Sequence, residues 1–159
     1  MGIRNGQQFL DSLRDEREVY IDGRRVRDVT ADPAFRGAAI TLAELYDQQH
    51  APESRDTLTE IDAGSGERVA RSYVLPTSKE ALAARGRALR HSAKHTCGFL
   101  ARTPDFMNVG IAALAAARSV FDDAPNGRTF GANVTAYHQH VMRNDLTMTH
   151  VQVNPQVDR

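Results

Sequence analysis

Apolar residues recur at helical spacing through most of the chain. Phe9, Leu10 and Leu13 mark a short helix in NGQQFLDSLRD. In PAFRGAAITLAELYDQQH, the positions Phe35, Ala38, Ala39, Leu42, Leu45, Tyr46 and Gln49 share one face. Asp32-Pro33 ahead of them reads as an N-cap followed by a proline in the first turn. A third helix is predicted from Ser78 to about Gly98, with Thr77 and Glu80 as its capping box. A fourth follows Pro104 through DFMNVGIAALAAARSVFDD, and its small residues suit close approach to neighbouring helices. APNG breaks it, and RTFGANVTAYHQHVMRND is a fifth.

Two stretches and the chain's end depart from this period. EVYIDGRRVRDV reads as two short extended runs around Asp22-Gly23, a tight-turn pair. Residues 51–76 carry turn formers in the middle and β-branched residues at the ends, as a hairpin or an irregular excursion does. LTMTHVQVNPQVDR alternates and predicts a strand. A strand needs partners, and the chain offers few, so the sequence reads as the N-terminal portion of a larger protein. The expectation is a mainly helical fold with small β hairpins. Residues 1–145 read as the helical part, and a β segment opens over 146–159.

Composition narrows the function classes. The chain has 159 residues, 41% of them hydrophobic and 25% charged, enough for one ordinary core. Its 20 basic and 20 acidic residues balance, so no basic stripe calls for a nucleic acid. No apolar run reaches membrane-spanning length, and MGIRNGQQFLDSL lacks the apolar core of a signal peptide. A cytoplasmic protein without membrane association is expected. Cys97 is the single cysteine, which excludes an internal disulfide framework.

Few residues carry a chemical signal. His91 and His95, four apart, have a spacing that can share a metal ion. No acidic base lies between them and no cysteine pair is present, so a polar helix face and no metal are expected. Gly64-Ser65-Gly66 opens no helix and reads as a turn rather than a phosphate loop. His138 and His140 are two apart on a helix and face different directions.

Arg102 stands directly before Thr103, a good N-cap, and Pro104. A cation there opposes the helix dipole unless an anion is held at the same place. Arg102 is therefore a candidate anion ligand, with an exposed or carboxylate-paired arginine as the plainer reading. His150, on the terminal strand, reads by itself as a hydrogen-bonded core histidine. Asn154-Pro155-Gln156 interrupts that strand, since proline cannot donate to a ladder.

Together, FLDSLRDEREVYIDGRRVRDVTADPAFRGAA, LYDQQH, GFLARTPDFMN and NDLTMTHVQVNPQVDR resemble, in that order, the start of the 4-hydroxyphenylacetate 3-monooxygenase large-component family. The resemblance runs from about Gly6 to Arg159. It implies the N-terminal helical domain of an acyl-CoA dehydrogenase-like fold, ending in the first strand of a flavin-binding β domain. It also implies a two-component monooxygenase that takes FAD as FADH2, with FMN as the alternative, from a separate NAD(P)H-flavin reductase. O2 adds to the flavin as a hydroperoxide, and one oxygen passes to an aromatic small-molecule substrate, ortho to its phenol hydroxyl. Full-length members assemble as homo-oligomers, and a chain ending at Arg159 is not expected to catalyse alone.

Carried over by position, Arg102 and His150 are the catalytic and substrate-binding residues. Phe106 is substrate-binding and replaces the tyrosine usual in the family. Asn154, Pro155 and Gln156 lie on the flavin side. The family's iron–sulfur dehydratase branch needs several cysteines, which Cys97 alone does not supply. The alternatives are a non-catalytic helical interaction module or fragment, and a biosynthetic hydroxylase acting on a carrier-bound aromatic.

Overall fold

A computed structural model describes residues 2–98, 104–123 and 127–149. Helix α1, Gly6–Ser12, starts on a complete capping box: Asn5 accepts from the Gln8 backbone, and the Gln8 side chain accepts from the Asn5 N–H. Strands β1, Val19–Ile21, and β2, Arg24–Val26, pair antiparallel around Asp22-Gly23. Both turn residues have positive φ, 49° and 76°, the primed turn that Asp-Gly favours.

Helix α2, Arg36–Gln48, buries Ala39 and Tyr46 of the predicted face, and also Ala43 beside it, while Ala38 is exposed. Its start is later than Asp32-Pro33 suggests. Asp32 builds a turn ahead of the helix instead, accepting from Ala34 N through its side chain and from Arg36 N through its carbonyl. Residues 51–76 resolve into a short helix α3, Arg55–Leu58, and a hairpin of β3, Thr59–Ile61, and β4, Arg68–Ala70. A 3-10 turn at Arg71–Tyr73 follows. The Gly64-Ser65-Gly66 stretch is the hairpin loop, organised by Asp62, whose side chain accepts from the Ser65 N–H and hydroxyl.

Helix α4 spans Lys79–His95, and its N-cap is Ser78, which accepts from Ala81 N; Thr77 lies one residue outside. Helix α5, Pro104–Ala116, ends before the predicted Asp123, and Arg118–Asp122 form a 3-10 turn. Helix α6 spans Gly131–Arg143. Among the described residues Leu146–Thr149 pairs with no strand, and the rest of the predicted terminal strand lies outside them.

Two apolar clusters hold these elements. Phe9, Ala43 and Tyr46 join α1 to α2, with the Phe9 and Tyr46 rings stacked at 5.0 Å. Val69, Ala70, Tyr73, Ile111, Val141 and Met142 join the second hairpin to α5 and α6. No helix among the described residues is long and apolar enough to cross a membrane.

Candidate active site

Of the expected site residues, Phe106 is described. Arg102, His150, Asn154, Pro155 and Gln156 lie outside the described residues. Phe106 sits in the first turn of α5 and is 48% exposed. Two residues further on, Asn108 is buried and donates through Nδ2 to Ser72 Oγ at 2.9 Å. That bond fastens the Phe106 end of α5 to the 3-10 turn.

The chain leading to His150 is fastened to the same turn. Tyr73, next to Ser72, donates its hydroxyl to the Leu146 carbonyl. His138 Nε2 lies 2.8 Å from the Tyr73 carbonyl, so this nitrogen carries the proton. Its neighbour in the pair, His140, is exposed, as the two-residue spacing requires.

Asp145 turns the chain out of α6 in a left-handed conformation, φ 46°, and is 3% exposed. Its side chain accepts from the Arg4 backbone N–H at 3.0 Å and from Gln49 Nε2 at 2.9 Å. Its carbonyl accepts from Arg4 Nε at 2.8 Å and from the Tyr46 hydroxyl at 2.9 Å. Tyr46 also shares a 2.6 Å bond with Thr147. Burial, then the negative charge of Asp145, push the Tyr46 hydroxyl up to about 12. The Arg4 guanidinium lies 4.9 Å from the Tyr46 ring centroid.

These residues fix both approaches to the candidate site, and the sequence reading missed them. Arg4, Tyr46 and Gln49 lie roughly a hundred or more positions from Asp145, so no local pattern links them.

The Thr147–Thr149 segment also borders a groove of about 610 Å³ between the first hairpin, α1 and α2. Phe9, Val26, Phe35, Leu42 and Met148 give it apolar walls.

His91 and His95 do converge, but on an amide. His91 Nε2 lies 2.7 Å from Gln48 Oε1 and His95 Nδ1 lies 2.8 Å from Gln48 Nε2. His95 Nε2 reaches Glu44 at 2.9 Å. Among the described residues no group of three or more His, Cys, Asp or Glu side chains is placed to hold a metal.

The profile of the 4-hydroxyphenylacetate 3-hydroxylase N-terminal family matches residues 5–159. The chain belongs to this family. Within the 4-hydroxyphenylacetate 3-hydroxylase family it is 35% identical, over 98% of its length and 31% of the relative's, to the 4-hydroxyphenylacetate 3-monooxygenase oxygenase component of Thermus thermophilus. It is also 35% identical, over 97% of its length and 28% of the relative's, to a Streptomyces globisporus monooxygenase. The name of that enzyme specifies a chlorinated hydroxyphenyl-propanoyl group on a peptidyl-carrier protein.

A crystal structure of the oxygenase component of 4-hydroxyphenylacetate 3-monooxygenase with FAD and 4-hydroxyphenylacetate superimposes with a TM-score of 0.87. It is 35% identical, over 98% of this chain and 31% of that one. An archaeal 4-hydroxybutyryl-CoA dehydratase shares the fold at 20% identity, with a TM-score of 0.75 over 91% of this chain and 28% of that one. The chain spans about a third of the length of the curated relatives it matches.

Proposed function

We propose that this chain supplies the helical side of the active site in a reduced-flavin-dependent aromatic hydroxylase, which inserts one atom of O2 into a phenol ring. The observation that carries this reading is family membership over residues 5–159; the motif resemblance in the sequence supports Arg102, Phe106 and His150 as its site residues. FAD, delivered reduced by a separate NAD(P)H-flavin reductase, supplies the activated oxygen when bound. The outward-facing Phe106 ring suits a flat aromatic partner, and Asn154, Pro155 and Gln156 would hold the flavin side. The full-length protein acts in the cytoplasm as a homo-oligomer, with 1–145 as its helical domain and 146–159 opening the β domain.

The chain's own residues prepare the substrate. The Arg102 guanidinium, always charged, favours the phenolate over the phenol. A neutral His150 imidazole accepts the hydroxyl proton or its hydrogen bond. The phenolate then carries more electron density at its ortho carbon. Phe106 adds an apolar wall that keeps water out. The test is coupled product formation by the full-length protein with reductase, FAD and a phenol. Arg102→Ala and His150→Ala are each expected to lower product by about 10²-fold, with peroxide released instead. Unchanged product in both variants overturns the assignment of roles.

A second reading is a carrier-bound aromatic substrate. It is favoured by the Streptomyces globisporus relative and by Phe106, which lacks the hydroxyl expected for a small free phenol. Comparing a free phenol with the same phenol tethered to a carrier protein separates the two.

A further inference from the structure

A cavity of about 40 Å³ lies between α2, α4, α5 and the start of the segment after α6. Its lining includes Gln49, Ser72, Ser92, Asn108 and Asp145, every one more than nine-tenths buried. Two of these side chains carry an oxygen with no hydrogen-bond partner among the described residues, Gln49 Oε1 and Asn108 Oδ1. The Gln49 orientation is fixed by chemistry. A carboxylate only accepts, so the amide atom 2.9 Å from Asp145 Oδ2 is the nitrogen. Turning Asn108 over would give its oxygen to Ser72 and leave its nitrogen bare, so either orientation leaves one polar atom over.

An orphaned buried acceptor costs about 1–3 kcal/mol, and folded proteins keep few of them. An apolar guest would leave both oxygens bare. A cation is not called for, because the Asp145 carboxylate already receives N–H groups from Arg4 and Gln49. Water fits. It brings two donors for the two oxygens and accepts from serine hydroxyls. At ~10–15 Å³ per molecule, there is room for about two or three.

We propose that this cavity is a built water site, in which an ordered water donates to Gln49 Oε1 and Asn108 Oδ1, and that Asn108 is thereby a positioning residue. The water joins two arms. One is the start of α5, which carries Phe106 two residues before Asn108. The other is the Asp145–Thr147 segment, held through Gln49, which leads to His150. The positioning half rests on the hydroxylase reading above; the water site does not.

A crystal structure of the full-length protein, at a resolution that shows its other buried waters, is expected to show density within hydrogen-bond distance of Gln49 and Asn108. An empty cavity overturns the site. Positioning is tested by Asn108→Ala against Ile111→Ala, a nearby truncation in α5 that removes only apolar contacts. With reductase, FAD and a phenol, Asn108→Ala is expected to lower the ratio of product to peroxide by roughly tenfold, while Ile111→Ala lowers the melting temperature and leaves that ratio unchanged. Equal ratios in the two variants overturn the positioning role. Absence of hydroxylated product from the unsubstituted protein would sink the hydroxylase reading and leave the water site to the crystal structure.

Discussion

Arg4 and Asp145 lie 141 positions apart and are joined twice, backbone N–H to side chain at 3.0 Å and guanidinium to carbonyl at 2.8 Å. The segment just ahead of α1 thus pins the point where the chain leaves α6. Arg4→Ala keeps the backbone bond and loses the guanidinium's contacts with Asp145, Tyr46 and Ser12. The expected loss is about 2–3 kcal/mol, read from urea denaturation.

Tyr46 gives the same junction a pH dependence. Its hydroxyl loses a proton less readily in the folded state, so the unfolded chain deprotonates first. The contribution is intact below the ordinary value of 10.0 and is lost as pH climbs from there to about 12. Its size is about 2–3 kcal/mol. Alkaline unfolding curves of the wild type should fall through this window, and Tyr46→Phe should remove that part of the slope.

Gly6 admits no side chain. A Cβ there would come within 2.5 Å of the Ala43 carbonyl oxygen and 2.7 Å of Asp47 Oδ2, while the Gly6 N–H donates to Asp47 Oδ1. Gly6→Ala gains helix propensity and still should destabilise by about 1–3 kcal/mol, as α1 is forced off α2. The midpoint of denaturation measures it.

Phe106→Tyr should leave stability within about 0.5 kcal/mol, because the ring is half exposed. Its effect should appear in chemistry. The restored hydroxyl is expected to raise product yield from small free phenols and lower peroxide release in the reductase-coupled assay. Identical yields would mean the missing hydroxyl is immaterial.

Legibility in the sequence followed the range of the interactions. The Asp22-Gly23 hairpin and the buried face of α2 are local matters of turn chemistry and period; the hairpin appears as read, and the face does so apart from exposed Ala38 and buried Ala43. Helix starts slipped where two polar residues compete. Ser78 caps α4 in place of Thr77, and Asp32 spends its side chain on a turn and on Arg24 rather than on the first turn of α2. Arg102 stood out locally, as a cation ahead of a helix start, whereas Phe106 and His150 stood out only through family resemblance. Their supports, Asn108 to Ser72, Tyr73 to Leu146 and Tyr46 to Asp145, span 36 to 99 positions and leave no periodic trace.

The Arg4–Asp145 clasp also sets an order of events during synthesis. A ribosome adds about 5–20 residues per second, so Arg4 waits roughly 7–28 s before its partner exists. Throughout that interval α1 and α2 can pair through Phe9 and Tyr46, but the exit that leads to His150 has nothing to fasten it. The approach to the candidate site from α6 is therefore settled late, although one end of its clasp is made 141 residues before the other.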